Sequence, residues 1–584
     1  MLFREVVDYY EQLEATTKRL EMTDILAALL SKTPPAVIDK VVYMTLGELY
    51  PAYVGLELGV AEKLAARAIR QVSGAGEKEL NELFSRHGDL GTVAELLLRT
   101  KEQTTLFVQE LTVEEVYSSL EKIAKASGPG AVDVKTAVLS KLLAMATPVE
   151  AKHIVRIVTG KMRLGVADMT VLDALAKAFG GDREVYERAY NLSSDIGLVA
   201  KTAAVEGVEG VSKFRVRVGI PVRCMLAERL SSAVEIHEKM DGVGFTEYKY
   251  DGERMQIHKA GEKVWIFSRR QENITQQYPD VVEAVEKYVK AAEAILECEA
   301  VPLDPDTGET LPFQELMHRK RKKEIERAAE EYPVALYFFD ILYVDGEDMT
   351  TKPFLERRKM LEKVIVEDER VKLSTGLLTH SPEEVEKIFA EAVEAGCEGV
   401  IVKSVGEDSV YRAGARGWQW IKFKRDYRSE MIDTVDLVVV GAFHGRGRRR
   451  GKFGALLTAV YNEERDVFQT VCKVGSGFKD EDLERFTEML NQLKIPHKHA
   501  RVESLMTPDV WVEPSIVLEI IGAEVTLSPV HTCAWGVLKE GYGLGIRFPR
   551  YTGRLRTDKK PEDATTDREI VEMYRRQLKK IEAE

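Results

Sequence analysis

The chain has 584 residues, 45% of them hydrophobic and 31% charged, with a formal net charge of −13; that length exceeds what one core supports and points to three or four domains. The acidic balance excludes nucleic-acid binding driven by the field of the whole molecule and leaves any such binding to local basic surfaces. Five cysteines without a CxxC pair indicate neither a disulfide framework nor a zinc site, and no stretch has the apolar length of a membrane span.

The start, Met1-Leu2-Phe3-Arg4-Glu5, lacks a basic region followed by an apolar core, so a cytoplasmic protein is expected. Abundant Glu, Lys and Arg with few cysteines leans toward a thermophile. From Met1 to Lys213, apolar residues recur at three and four, as in Leu26, Leu29 and Leu30, or Val171, Leu172, Leu175 and Ala176. Breaks at Pro34-Pro35, Gly74-Ala75-Gly76, Ser127-Gly128-Pro129-Gly130 and Gly180-Gly181 divide the run, which predicts an all-α domain over residues 1–213. Residues 214–221 read as an extended linker. Over 214–429, short β-rich runs at 244–250, 264–267, 335–342 and 399–402 alternate with helical patterns at 280–296 and 382–395, which predicts an α+β domain. Over 430–584, strands are expected at 435–441, 455–461, 467–474 and 516–525. Their length suits a small β-barrel of the OB-fold type, closed by a charged helix at 567–581.

The most informative run is Glu247-Tyr248-Lys249-Tyr250-Asp251-Gly252-Glu253-Arg254, a K-x-D-G-x-R pattern at the end of a strand-like stretch. A lysine can attack the α-phosphate of a nucleotide and hold it as a phosphoramidate, provided its amine is neutral at that moment. Such a reaction needs cations for the triphosphate, carboxylates for a divalent metal, and a flat apolar face for the base. Candidates follow in order: Ser268-Arg269-Arg270 after a strand; Glu299 in Leu296-Glu297-Cys298-Glu299-Ala300, ending a helix or beginning a strand; Phe339 in Phe338-Phe339-Asp340; Glu398 before a buried strand; then Arg416. In Trp420-Ile421-Lys422-Phe423-Lys424, period two aims Lys422 and Lys424 to one face. Singly, each has a plainer explanation: Asp-Gly makes a charged hairpin turn, Glu299 and Glu398 are solvated carboxylates, Phe339 is core, and the lysines are the wet face of an edge strand. Their fixed order favours the nucleotide reading.

On these residues the chain resembles the ATP-dependent DNA ligases of the archaeal and eukaryotic-replicative type, along essentially its whole length. The matching motifs are Lys249 to Arg254, Ser268 to Arg270, Glu297 to Ala300, Tyr337 to Gly346, Glu398 to Lys403 and Trp420 to Lys424. A ligase-specific motif follows at Arg547-Phe548-Pro549-Arg550-Tyr551 with Arg554, Arg556, Asp558 and Lys559. The chain departs from many relatives in reading Glu297-Cys298 where they carry Asp-Gly. The resemblance implies an all-α DNA-binding domain, a nucleotidyltransferase (adenylation) domain and an OB-fold domain. It also implies that Lys249 is adenylated from ATP, with depression of its pKa by a divalent metal, Mg2+ or Mn2+, and the Arg/Lys cluster. Glu247 then reads the adenine amino group and Phe339 stacks on the base. Arg254, Arg269 and Glu299 lie toward ribose and α-phosphate, Arg416, Lys422 and Lys424 hold phosphates, Asp251 orients or charge-compensates Lys249, and Glu299 and Glu398 organise the metal. Arg547, Arg550, Asp558 and Lys559 orient departing pyrophosphate, which implies a moving C-terminal domain.

The resemblance further implies nicked duplex DNA as substrate and a monomer. Gly88-Asp89-Leu90-Gly91 and Gly160-Lys161-Met162-Arg163-Leu164-Gly165 resemble DNA-backbone loops, with Arg163 a contact; helix capping alone also explains them. The densest basic run, residues 445–452, offers Arg448, Arg449 and Arg450 to DNA from a hairpin. Gln103, Leu106 and Phe107 resemble a short motif for a PCNA-type sliding clamp. The competing enzyme reading is an RNA ligase or a capping-type nucleotidyltransferase, and a different class is a non-catalytic DNA- or clamp-binding scaffold.

Overall fold

A computed structural model describes residues 1–58, 60–100, 110–303, 310, 313–320, 324–395, 397–424, 434–445, 449–475, 477–522, 524–528, 530–547 and 549–583. The chain divides into two compact units, Met1–Ala227 with Asp251–Thr375 and Ser404–Gln419, and Glu228–Tyr250 with Gly376–Lys403 and Trp420–Glu584. The segment expected over 214–429 is thus shared between them. No helix among the described residues is long and apolar enough to cross a membrane.

In the first unit, helices run from Phe3–Glu14 to Ile196–Ser212. Leu26, Leu29, Leu30, Val171, Leu172 and Leu175 are buried in one core, as their spacing requires. Gly74 and Gly180 end the helices Glu62–Ser73 and Asp168–Phe179 with positive φ, which a side chain would resist. The helix Pro148–Val158, opened by a Thr147/Glu150 capping box, is the hub of this region. Its Arg156 donates to both carboxylate oxygens of Glu14 (2.9 and 3.0 Å) and to Asp89 Oδ2 (2.7 and 3.0 Å). Lys152 pairs with Glu11, Glu14 and Glu95. Asp89 also caps the helix Leu90–Arg99 by accepting from the Gly91 and Thr92 N–H groups. At Gly91 a Cβ would lie 2.6 Å from the Lys152 carbonyl, so the turn Gly88 to Gly91 meets a close helix crossing. Asp89 and Gly91 therefore do structural work that the capping explanation covers.

The rest of this unit carries a six-stranded sheet. Its path is Lys263–Ser268, Glu253–Ala260, Glu293–Pro302, Val334–Val344 and Glu347–Asp348, with Val371–Leu373 running parallel beside Val334–Val344. The expected helix over 280–296 is corrected: the helix is Pro279–Tyr288, and residues 293–302 are a central strand. A strand buried on both faces is a continuous apolar run without alternation, so Ala294-Ile295-Leu296 looked like more helix.

In the second unit the strands Arg416–Lys424, Gly399–Ser404, Gly244–Lys249 and Gly376–Thr379 are neighbours in that order. The C-terminal part is sheet-rich. Val435–His444 pairs with Phe453–Asn462 on one side and with Val517–Ile521 and Val510–Val512 on the other; bulges at Val439/Gly441 and Phe443/His444 kink it along its length. The single strand expected over 516–525 is two, Val517–Ile521 and Glu524–Ser528, broken at Gly522 and paired with different partners, Arg550–Leu555 and Gly543–Arg547. The tail helix is present as Asp567–Ala583.

Two imidazoles of the first unit are buried without charge. His258 accepts the Gly219 N–H at Nδ1 (2.9 Å) and donates from Nε2 to Gln256 Oε1 (2.9 Å), an arrangement only the neutral ring satisfies; burial holds it down to about 3. Burial likewise holds His153, beside Glu11, to about 4. A folded-state value below the unfolded one means that the stability each contributes is complete above about pH 6.5 and is lost as pH falls toward the folded value. The unfolding free energy of the first unit, read from urea titrations, is expected to drop between about pH 6.5 and 4 by up to about 3 kcal/mol per histidine, and His258→Gln is expected to flatten that slope. A slope unchanged in the variant would refute the assignment.

Candidate functional site

The strand Gly244–Lys249 puts Glu247 and Lys249 on the same face, because alternate residues of a strand share one. The Glu398 N–H donates to the Lys249 carbonyl at 2.9 Å, which fastens the start of the next strand, Gly399–Ser404, to the end of the lysine's own. Only glycine suits position 399: its φ is +143° and a Cβ there would meet the Phe423 carbonyl at 2.2 Å. Glu398 is thereby aimed at Lys249. Its Oε2 pairs with Lys249 Nζ and, at 3.0 Å, with Lys424 Nζ. Burial of the Glu398 carboxyl opposes ionisation, but the two ammonium groups overcome it and hold the group down to about 2. Two cations around one anion leave a net positive charge around Lys249. Ile421 and Phe423 are buried while Lys422 and Lys424 are half-buried, so the expected alternation of Arg416–Lys424 is present.

On this unit Glu247 is also buried, and Lys403 Nζ sits 2.5 Å from its Oε1. Lys403 escaped the sequence reading. Its signal was an uncompensated cation at the end of an apolar strand, Gly399-Val400-Ile401-Val402-Lys403.

In the first unit, Arg254 is the centre. It donates to Glu297 Oε2 (2.8 Å) and to the Met225 carbonyl (2.9 Å), and its guanidinium lies 5.3 Å from the Phe339 ring centroid. Burial weakens the Arg254 charge but the Glu297 carboxylate more than restores it. Tyr411 Oη donates to the same Glu297 oxygen (2.9 Å) and accepts the Met225 N–H (2.9 Å). Glu297 and Tyr411 also went unrecognised as site residues, although Glu297 was noted for departing from Asp-Gly. On Val334–Val344, Phe338 is buried in the core and Phe339 is half-buried on the other face, so Phe339 is not the core aromatic. Glu299 lies half-buried opposite Arg254 in the strand register. Gly252 leaves room for this strand pair: a Cβ there would lie 2.3 Å from the Ala300 carbonyl. Arg269 and Arg270 are exposed at the end of Lys263–Ser268, and Asp251 is half-buried.

Three family models match the chain: DNA ligase N terminus over residues 2–176, ATP dependent DNA ligase domain over 224–424, and ATP dependent DNA ligase C terminal region over 449–559. The DNA ligase 2 of Thermofilum pendens is 56% identical over 585 residues, covering 98% of this chain and 97% of that one. The DNA ligase of Staphylothermus marinus is 54% identical over the whole of both chains, and that of Sulfophobococcus zilligii 54% identical over 100% of this chain and 98% of the other.

The chain belongs to the ATP-dependent DNA ligase family.

A solved structure described as Pmar-Lig_PreS3 is similar in fold, with a TM-score of 0.55 and 18% identity over 94% of this chain and 99% of that one. In the C-terminal part of this ligase, Arg550 is exposed on Arg550–Leu555, while Lys559 Nζ pairs with Asp436 (2.6 Å) and Arg556 bridges Asp436 and Asp558. Arg547 ends the strand Gly543–Arg547. Arg163 is exposed, has φ +58°, and donates to the Gly88 carbonyl at 2.7 Å, so the two glycine-bearing turns meet there. Arg449 is folded onto the Gly454 and Gly475 carbonyls and braces its hairpin, while Arg450 is exposed. Arg448, Gln103, Leu106 and Phe107 lie outside the described residues.

The buried Arg254–Glu297 pair yields a direct expectation. Glu297→Ala leaves a desolvated guanidinium without its counter-charge and is expected to destabilise the first unit by roughly 3–5 kcal/mol. Tyr411→Phe removes the two hydrogen bonds of its hydroxyl, to Glu297 and from the Met225 N–H, and is expected to cost about 2 kcal/mol. Urea unfolding of the two variants distinguishes them; equal losses would count against the pair as the dominant interaction.

Proposed function

We propose that this ligase seals 5′-phosphate/3′-hydroxyl nicks in duplex DNA through a lysyl-AMP intermediate formed at Lys249 from ATP. The observation that carries the reading is the Lys249–Glu398–Lys424 cluster, which holds the nucleophile in a net-positive, half-buried setting. An ammonium paired with a carboxylate has no lone pair, so the pair opens before attack. Glu398 is held too acidic to keep that proton at neutral pH and serves as a counter-ion, which leaves the proton to water. The Lys249 nitrogen then forms a bond to the α-phosphorus as the bond to the bridging oxygen breaks and pyrophosphate leaves. The nick 5′-phosphate oxygen next takes the adenylyl group, breaking the P–N bond and returning Lys249 to the amine. Finally the 3′-hydroxyl oxygen bonds to the 5′-phosphorus, and AMP departs.

In this reading Glu247 accepts from the adenine amino group and Phe339 stacks on the ring. Arg254, Arg269 and Glu299 serve ribose and α-phosphate, Asp251 compensates charge, and Arg416, Lys422 and Lys424 hold phosphate oxygens. Arg547, Arg550, Asp558 and Lys559 orient pyrophosphate. Carboxylate oxygens suit Mg2+ or Mn2+, and Mg2+ is commonly held by one or two carboxylates together with substrate phosphates rather than by a protein cage. Glu299 and Glu398 would hold such an ion, whose chemistry is to neutralise developing phosphate charge. The three segments 1–213, 214–429 and 430–584 act as DNA-binding, adenylation and OB-fold modules of a cytoplasmic monomer. Arg163, Arg448, Arg449 and Arg450 serve DNA phosphates, and Gln103, Leu106 and Phe107 serve a PCNA-type clamp.

The test incubates the full chain, after pyrophosphate treatment, with Mg2+ and α-labelled ATP. Label is expected on the denatured protein, chased by nicked DNA, and absent in Lys249→Ala. Label from GTP alone would point to a capping-type enzyme, and none from either nucleotide would leave only a scaffold.

A further inference from the structure

The mechanism leaves the buried Lys403 ammonium without a task. Lys403 has no solvent exposure, its Nζ lies 2.5 Å from Glu247 Oε1, and the same ammonium sits 4.4 Å from the Trp420 ring centroid. The strand register sets this triad: Lys403 stands opposite Trp420, and Glu247 stands opposite Gly376. A Cβ at Gly376 would lie 2.7 Å from Glu247 Cβ, so the glycine is what lets the carboxylate sit in this packed position. A desolvated ammonium is costly unless an ionised partner and a π face compensate it.

We propose that Lys403 is a specificity-determining positioning residue that sets the choice of ATP over GTP by locking Glu247 as an oriented carboxylate. The proposal rests on the reading of Glu247 as the residue that meets the exocyclic group of the base. A carboxylate accepts hydrogen bonds and donates none. The 6-amino group of adenine donates to it; the 6-oxygen of guanine presents a second acceptor and is repelled. The Lys403 ammonium, 2.5 Å from Oε1, holds that carboxylate in one orientation and so keeps the match to the base. Lys403 thus acts on the base through Glu247 alone, and Trp420 closes the other side of the ammonium.

The test compares self-adenylylation with self-guanylylation in the full chain, as kcat/KM for α-labelled ATP and for α-labelled GTP with Mg2+. Lys403→Met is expected to lower the ATP:GTP ratio at least about tenfold, because a site that loses its enforced polar match loses discrimination. Lys403→Arg is expected to restore the ratio. A structural defect alone lowers both rates together and leaves the ratio where it was, so a folded Lys403→Met with the wild-type ratio overturns the proposal. Thermal melting monitors folding, and Lys403→Gln, which keeps a donor but not the charge, gives the same reading where the methionine variant fails to fold. Glu247→Gln separates the two layers. If it shifts the ratio while the Lys403 variants do not, Glu247 reads the base unaided and the role of Lys403 is refuted. If Glu247→Gln leaves the ratio unchanged, the reading of Glu247 has failed and the proposal falls with it.

Discussion

The constraint on which this molecule turns is that its chemistry-bearing charges lie within strands that also build cores. Glu247, Glu297 and Lys403 are buried on strands that also carry core residues such as Phe245, Leu296 and Val402. In such surroundings an ion without a partner is expensive, so each acquires one through strand register rather than through sequence proximity. Lys249 is answered by Glu398, Glu247 by Lys403, and Arg254 by Glu297. The same logic governs the helical region, where Arg156 and Lys152 on a buried helix are neutralised by Glu11, Glu14, Glu95 and Asp89 from two other helices and their caps.

This explains what the linear chain showed and what it hid. The nucleophile, its motif carboxylates and the alternating lysines of Arg416–Lys424 lie in short contiguous runs whose spacing is itself the signal. Which of them pair with one another is not legible in that way: Lys249 and Glu398 are 149 residues apart, and Tyr411 and its acceptor Glu297 are 114 apart. Nothing in composition or periodicity marks Tyr411, or pairs Lys403 with Glu247, until strands are laid side by side. The helical periodicity of the first two hundred residues was legible because most of these helices turn one apolar face to a single core. The strand Glu293–Pro302 was not, because burial on both faces erases the alternation that identifies a strand. Among the basic residues, charge alone could not separate Arg449, spent on two backbone carbonyls, from its exposed neighbour Arg450.

Burial also sorts the ion pairs by what they can do. Arg357–Asp340 and Lys403–Glu247 are essentially without solvent, and Arg156–Asp89 nearly so; opening any of them strands a desolvated charge, so they act as fixed framework. Lys249–Glu398 and Lys559–Asp436 are different, with side chains between 12 and 30% exposed. Water screens these pairs and replaces part of what is lost when they open, so their partners are exchangeable at modest cost. A polyphosphate offers Lys249, Lys424 and Lys559 a higher charge than a single carboxylate does. In the proposed mechanism Glu398 and Asp436 are resting partners that a nucleotide displaces, while Lys403 and Glu297 hold the geometry still. The division between movable and immovable charge follows from depth in the sheet. It puts Lys249 in the movable class, as the proposed role of a group that changes its bonding twice in each cycle requires.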